Sequence, residues 1–550
     1  MTAMGQEEVK KLLEENPHLK QYLENIKDKV GKPDFYSELD HHVREEHYPN
    51  LIYRTEGVVF AHIYKTKNMK ELEYKAIEPV LTDAESEKRK QIMKLILKKV
   101  PEKKSLKTEE ELKEVIKELI NEITVVDERA EKVKLKKKGR ILGKKRDTIK
   151  LTSDQKKNIE YFIIKELVGG GAIECFMRDP YIEDIHVVAG ENVHLVHRIF
   201  EMIKTNIIIS QEEAPTFVKM ISEKMGVPVS EGRPIVDGIL PDGSRGNIIY
   251  SKSVSLKGPS MTLRRYTETP ISVTQLINWG TIDAGIGAYL WLSLQYGRNF
   301  FLCGGTACGK TTTMNAIVPF IPPEKKIYTA ESTPELLVPH SVWQRLLTKT
   351  SGPKESHVDL FGLLKASLRS RPDYIIPGEI RGPEGNIVFQ VMQTGHACMT
   401  TFHAGSVTKV IQRLTGDPIN VPKTFMDNLD FILIQLAVEQ RGKMLRRCTS
   451  IDEIEGYNRE IDGIISRKAF EWKPEQDFHI FTATNNSFVL EEKIARNAGY
   501  QDTSKIYDEH KLRKIILQKM VEEKIFDYYK VVECIWGYYR EGKAGLPFYL

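Results

Sequence analysis

The run Gly304-Gly305-Thr306-Ala307-Cys308-Gly309-Lys310-Thr311-Thr312 follows directly on the apolar stretch Asn299-Phe300-Phe301-Leu302-Cys303. Its spacing satisfies G-x-x-x-x-G-K-[ST], which constrains the fold more than any other feature of the chain: a strand must end in a loop of backbone N–H groups that opens a helix. The residue types carry the physics. Glycines let the backbone curl so that several N–H groups face one anion, Lys310 reaches β- and γ-phosphates, and the Thr311 hydroxyl can complete a Mg²⁺ shell. The segment Thr313-Met314-Asn315-Ala316-Ile317-Val318 then reads as helix. A bound nucleoside triphosphate is expected, cradled by Gly304, Gly305, Thr306, Ala307, Cys308, Gly309, Lys310, Thr311 and Thr312.

A chain of 550 residues is too long for one core and calls for two to four domains. No apolar run approaches the roughly 20 residues of a spanning helix, and Phe431-Ile432-Leu433-Ile434-Gln435-Leu436-Ala437-Val438 reads as a buried strand. The opening residues, with Gln6-Glu7-Glu8 and Glu14-Glu15, lack the basic and apolar regions of a secretory signal, so a cytoplasmic protein is expected. The six cysteines (Cys175, Cys303, Cys308, Cys398, Cys448, Cys534) are scattered without a C-x-x-C pair, which suggests neither a disulfide framework nor a zinc site. The net charge of +5 is small for this length and argues against a protein covered in nucleic-acid-binding surface. Residues 85–150 are nevertheless dense in Lys and Glu and end in the basic stretches 132–140 and 144–146. They read either as a solvated helical face or as a patch for anionic lipid headgroups or an acidic partner.

Organisation follows from periodicity. Residues 7–30 show helical spacing broken at Pro17, 51–54 and 57–64 resemble a hairpin, and 83–128 look helical. Near Leu151 the pattern changes to mixed strands and helices, with a strand pair at 244–250 and 260–266 and a turn at Leu240-Pro241-Asp242-Gly243-Ser244-Arg245. From about Thr269-Pro270 short apolar runs alternate with helix-length segments, which predicts an α/β domain with a mostly parallel sheet. The expected division is 1–150, a helical, charged docking region; 151–268, a smaller α/β domain; and 269–550, the phosphate-loop domain with a C-terminal helical extension.

Hydrolysis needs acids near the phosphates. Arg371-Pro372-Asp373-Tyr374-Ile375-Ile376-Pro377-Gly378-Glu379 is an apolar strand ending in an acid, which places a carboxylate beside the metal. Lys326-Ile327-Tyr328-Thr329-Ala330-Glu331-Ser332 is a second such strand, with Glu331 placed to orient an attacking water as general base. The segment from Thr394 to Gly405 carries His396 and His403, whose separation of seven does not make a metal pair; the residue types alone leave structural and catalytic roles both open.

Taken in order, the phosphate loop, Glu331-Ser332-Thr333-Pro334-Glu335, Gly378-Glu379-Ile380-Arg381-Gly382 and Thr394-Gly395-His396 to His403 resemble the Walker A, Asp, Walker B and His boxes of the type II/IV secretion ATPases. Leu240-Pro241-Asp242-Gly243-Ser244-Arg245 and Met261-Thr262-Leu263-Arg264-Arg265-Tyr266 resemble their N-terminal segments, and the likeness spans about 161–438. The branch it is most similar to is the archaeal one, with the archaellum motor and type IV pilus-assembly enzymes. The resemblance implies a homohexameric ring whose subunits join a small, PAS-like α/β domain to a RecA-like motor domain and hydrolyse ATP with Mg²⁺. It implies Thr311 and Glu379 on the metal, Glu331, Glu379 and His403 in catalysis, and Arg245 and Arg264 reaching the γ-phosphate from an adjacent domain or subunit. It also implies a cytoplasmic position against the inner face of the membrane, a polytopic platform protein as partner, an anionic lipid surface as a further contact, and no nucleic acid. The other reading of the fold is a RecA-like nucleic-acid motor, which would need a basic, aromatic-bearing groove that is not evident here; a third is a nucleotide-gated scaffold with weak hydrolysis.

Three positions depart from the family pattern. Ser332 stands where an Asp is usual and removes one negative charge beside Glu331. Cys308 replaces the usual Ser of the loop and adds sensitivity to oxidation. Pro377 removes a backbone donor just before Gly378, which puts the local strand geometry in question.

Overall fold

The computed structural model describes residues 2–39, 43, 47–67, 69–99, 109–128, 148–266, 269–349, 353–440 and 443–550. The basic stretches 132–140 and 144–146 lie outside them. The chain divides into two compact units, Met1–Tyr266 and Thr267–Leu550.

The first unit is built on strands β1 (Thr2–Ala3), β2 (Asp34–Glu38), β3 (Asn50–Glu56), β4 (Val59–Tyr64), β5 (Glu73–Ile77), β8 (Ile182–Val188), β9 (Asn192–His197), β10 (Glu201–Ile208), β11 (Ile235–Ile239), β12 (Arg245–Ile249) and β13 (Ser260–Arg264), with a separate pair β6 (Thr124–Val126) and β7 (Ile149–Leu151). The large sheet runs in the order β1-β2-β3-β4-β5-β10-β9-β8-β13-β12-β11. Helices Gln6–Glu15, Pro17–Val30, Asp83–Lys99, Glu109–Ile123, Ser153–Leu167 and Ala214–Lys224 accompany it. Pro17 opens the second helix at its first turn, where its missing N–H would be unpaired in any case.

The sequence sets a division at 150, and the sheet runs across it: Lys204 and Thr205 of β10 pair with Glu73 and Tyr74 of β5. Burial explains the continuity. Tyr53, Ile63 and Tyr74 from the early strands share one apolar cluster with Ile185, Leu195 and Ile203 from the later ones. At its centre sits Asp179, fully buried. Tyr53 and Tyr74 donate their hydroxyls to its Oδ2 at 2.7 and 2.8 Å, and the Tyr181 N–H donates to Oδ1 at 2.9 Å.

The second unit holds β14 (Phe300–Cys303), β15 (Ile327–Glu331), β16 (Trp343–Leu347), β17 (Tyr374–Pro377), β18 (Glu379–Ile380), β19 (Ala397–Phe402), β20 (Phe431–Gln440), β21 (Lys443–Asn458), β22 (Gly463–Lys473) and β23 (Phe478–Phe481). Their order is β16-β15-β17-β19-β14-β20-β21-β22-β23, with β18 on β19; β16 to β20 are parallel and the remainder antiparallel. This is the α/β arrangement with a mostly parallel sheet that the alternation of apolar runs predicts. Parallel strands covered on both faces read as unbroken apolar runs, and all four residues of β14 are buried. Their pleat divides them: Phe300 and Leu302 join a cluster with Tyr289 and Trp291, while Phe301 and Cys303 join one with Phe389 and Phe402. Helix Ala284–Gln295, apolar all round, is buried along nearly its full length and is capped by Asp283 on the Ile286 N–H.

Helices Ile506–Glu522 and Tyr528–Glu541 pack beside it, with Arg513 over the Trp291 ring at 5.2 Å and Trp291 Nε1 donating to the Tyr539 hydroxyl at 2.9 Å. All six cysteines are free and buried. Among the described residues no helix is long and apolar enough to cross a membrane.

Candidate active site

The C-terminal ends of the parallel strands collect the polar groups. β14 runs out at Cys303, and the chain turns through residues 304–309 into helix Lys310–Ile317. The loop takes two left-handed residues to do so, Ala307 at φ 57° and Gly309 at φ 89°. Gly304 is required for a different reason: a Cβ there would stand 2.0 Å from the carbonyl oxygen of Gln435 on β20. Gly305, Thr306 and Ala307 are exposed, Thr311 and Thr312 half-buried. Lys310 is buried, with its ammonium donating to the carbonyls of Gly304 at 3.3 Å and Gly305 at 2.7 Å. Cys308 Sγ donates to the Gly305 carbonyl at 3.1 Å, a bond a serine hydroxyl could also make, and burial pushes its thiol above the ordinary range. That favours the thiol over the reactive thiolate and lowers the oxidation sensitivity expected of the substitution.

Glu331 ends β15 and is 2% exposed. Its Oε1 accepts the N–H groups of Glu335 and Leu336, both at 2.8 Å, while Oε2 is buried without a hydrogen-bond partner. Arg345 Nε stands 3.7 Å from that oxygen. Burial dominates, so the carboxyl is pushed up to about 7 against the opposing pull of the two N–H groups and the guanidinium. A carboxyl poised near neutrality, with one oxygen fixed and the other buried without a hydrogen-bond partner, is suited to holding and deprotonating a water. Ser332, next in the chain, is exposed.

Glu379 lies on the neighbouring path. Pro377 closes β17, Gly378 N–H donates to the Ala330 carbonyl at 2.9 Å, and Glu379 begins β18 opposite Thr401. Pro377 keeps its place because successive N–H groups alternate sides. The Gly378 donor faces β15, so the donor Pro377 lacks would face β19, whose ladder breaks there between Ile375 and Glu379. A Cβ on Gly378 would lie 3.2 Å from Glu331 Cγ, so the two acids approach through this glycine. Glu379 Oε2 accepts from Arg381 Nε and Nη2 at 2.8 and 2.5 Å. Its Oε1 is buried without a hydrogen bond, although His403 Nε2 comes within 3.1 Å. An open carboxylate oxygen together with the Thr311 hydroxyl is a hard oxygen donor set of the kind Mg²⁺ takes, so these residues fit that ion.

His403 follows β19, whose last carbonyl, Phe402, accepts the Gly304 N–H at 3.2 Å and so ties the histidine segment to the phosphate loop. Partial burial and the Lys310 charge lower its basicity, which keeps the imidazole neutral at pH 7. Arg413 donates to the His403 carbonyl. His396, by contrast, is half-buried just after helix Glu384–Gln393, with its Nδ1 on the Thr394 hydroxyl at 2.9 Å.

Thus the loop, Glu331, Glu379 and His403 come together at one sheet edge. Arg245 and Arg264 belong to the first unit, where they are direct partners across β12 and β13. Both are exposed; Arg264 Nε pairs with Asp184 Oδ1 at 3.1 Å, and Arg245 Nη2 is 3.9 Å from Asp237 Oδ1. Three residues of the site escaped the sequence reading. Arg345 and Arg446, whose Nε donates to the Ala307 carbonyl at 3.2 Å, carry no local signal. Gln435 carried one, a lone amide inside the apolar run 431–438.

A family model described as type II/IV secretion system protein matches residues 166–516. An uncharacterized protein of Methanocaldococcus jannaschii is 51% identical over 548 residues, 99% of each chain. The type IV secretion system protein VirB11 of Bartonella henselae is 26% identical over 241 residues, 38% of this chain and 68% of that one. Among solved structures, the Legionella pneumophila ATPase DotB is 17% identical, covers 62% of this chain and 84% of its own, and superposes with a TM-score of 0.36.

Proposed function

This chain belongs to the type II/IV secretion system protein family, and on that premise we propose that it hydrolyses ATP as a homohexameric ring motor for an archaellum-like or type IV pilus-like filament or for protein secretion. Glu331 is the observation that carries the reading: a buried carboxylate held near 7, with one open oxygen, at the same sheet edge as the phosphate loop. In the proposed reaction a water oxygen attacks the γ-phosphorus, Glu331 takes its proton, and the bond to the β-phosphate oxygen breaks to give ADP and phosphate. The loop N–H groups and Lys310 bind and orient the phosphates. Thr311 and Glu379 would hold Mg²⁺, which when bound neutralises charge on the phosphate oxygens. His403, whose Nε2 stands 3.1 Å from Glu379 Oε1, is the further catalytic side chain beside that acid. Arg245 and Arg264 would supply permanent cations to the nucleotide of an adjacent subunit, a role suited to guanidinium. The working position would be cytoplasmic, against the membrane, where a polytopic platform protein is gripped and anionic lipid is touched.

The test measures ATP turnover together with mass in solution, with and without Mg·ATP, anionic liposomes and single-stranded DNA. Mg-dependent turnover by a hexamer, raised by liposomes and lost in Glu379→Gln, is the expected result. Unchanged turnover in Glu379→Gln overturns the site assignment, and stimulation by DNA alone overturns the motor reading in favour of a nucleic-acid enzyme.

A further inference from the structure

We propose that Gln435 is a positioning residue that clamps the phosphate loop in its anion-binding shape, acting through both ends of its buried amide. The inference rests on the reading of residues 304–312 as a phosphate loop and names a residue outside that motif as necessary to it.

Three observations converge. β14 pairs with β20 up to Cys303 against Ile434, so the next residue of each strand, Gly304 and Gln435, meet where the loop departs. Their backbones are in contact, as the 2.0 Å clash of any Gly304 Cβ with the Gln435 carbonyl requires. Beyond the backbone, Gln435 Nε2 donates to the Cys308 carbonyl at 2.7 Å and its Oε1 accepts from the Thr313 hydroxyl at 2.9 Å. One side chain therefore spans the loop's last turn and the first turn of helix Lys310–Ile317. The amide is 1% exposed, so both bonds form away from water, where leaving either partner unmet is costly.

The strand is shaped to deliver this side chain. Phe431 and Leu433 face the cluster containing Met314 and Ile317, and Gln435 keeps their face by the period of two. At that residue the pairing with β21 steps from Ile434 against Ser450 to Gln435 against Cys448, leaving Thr449 as an extra residue. A bulge bends a strand and re-aims its side chains beside functional loops. The same hairpin sends Arg446 to the Ala307 carbonyl. The two contacted carbonyls, Ala307 and Cys308, precede the loop's final turn at Gly309. Holding them outward leaves the following N–H groups free to face phosphate.

Equilibrium binding of a fluorescent ADP analogue, with melting temperature recorded on the same samples, tests the clamp. Gln435→Met keeps the volume and removes both hydrogen bonds; the expected result is about a tenfold rise in Kd for ADP and in KM for ATP, with kcat changed less than threefold. Thr313→Val removes one bond and should raise Kd about threefold. A merely structural amide would lower the melting temperature and leave Kd unchanged in the folded variant, which overturns the proposal. Should Gln435→Met fail to fold, unchanged affinity in Thr313→Val overturns it by itself. Failure of the folded wild-type protein to bind the analogue defeats the phosphate-loop reading, and the clamp falls with it; tight wild-type binding unaffected by either variant defeats the clamp alone.

Discussion

Asp179 in the first unit and Glu331 in the second are both buried carboxylates, 0% and 2% exposed, and burial raises the proton affinity of both. Their surroundings differ in completeness. Asp179 has hydrogen bonds on each oxygen, from Tyr53, Tyr74 and the Tyr181 N–H, and the nearby Arg265 charge offsets part of the desolvation. Glu331 has one oxygen satisfied and one open. Glu453 falls with Asp179: Tyr289, Ser487 and the Phe488 N–H occupy both of its oxygens. A raised proton affinity is therefore common to all three acids. What sets Glu331 apart is the unfilled hydrogen-bonding capacity of Oε2, which can take up a water or substrate without dismantling the support of the other oxygen.

The largest effect tests that contrast directly. Glu331→Gln should lower turnover by about 10²–10⁴-fold with nucleotide affinity within threefold, read by single-turnover kinetics and binding. Retained turnover would mean that the open oxygen has no chemical role. Next, Asp179→Ala takes the acceptor from two buried tyrosine hydroxyls, of which Tyr53 keeps a 3.3 Å contact with His197 Nε2, and should destabilise the first unit by about 3 kcal/mol in denaturant unfolding. Loss below about 1 kcal/mol would show that its complete hydrogen bonding contributes little.

The pH dependence sharpens the same comparison. Glu331 is pushed up to about 7 from an ordinary 4.5, so the folded state favours its protonated form. Its contribution to stability is fully present below pH 4.5 and is lost as pH rises through about 7, on the order of 3 kcal/mol in total. Turnover should move the opposite way, rising with the ionised fraction through about pH 7. The variant Glu331→Gln should abolish the stability trend and melt higher than wild type at pH 8. Parallel pH trends for wild type and variant would assign the effect to other groups.

The smallest expected stability effect belongs to Arg264. Its pair with Asp184 is exposed, so Arg264→Ala should change unfolding free energy by less than about 0.5 kcal/mol. If the residue contacts nucleotide in an adjacent subunit, turnover of the assembled protein falls more than tenfold while stability stays put. No change in either would leave Arg264 a surface residue.

Much of the second unit was legible in the sequence. The pattern at residues 304–312, the apolar run before it and the acids ending two strands needed only local rules, because phosphate loops and strand ends are built from consecutive residues. The first unit was less so. Its early strands read as a hairpin within a helical region, and their membership in one sheet with β10 depends on pairings more than a hundred residues apart. Pro377 looked like a defect because the alternation of donors between two neighbours is invisible until both neighbours are known. Gln435 sat in plain view as the one amide in the apolar run 431–438, yet its partners, Cys308 and Thr313, lie 127 and 122 residues away.

The sequence by itself determined the phosphate loop, the helix behind it and the carboxylates at the strand ends, since backbone curl, helix start and side-chain chemistry are properties of short segments. Tertiary structure alone decided which of the buried acids kept an open oxygen, which strand closed against the loop and which side of Pro377 needed no donor. Those outcomes depend on desolvation and on hydrogen-bond partners brought from distant segments, and a linear chain specifies them only through the packing that brings the segments together.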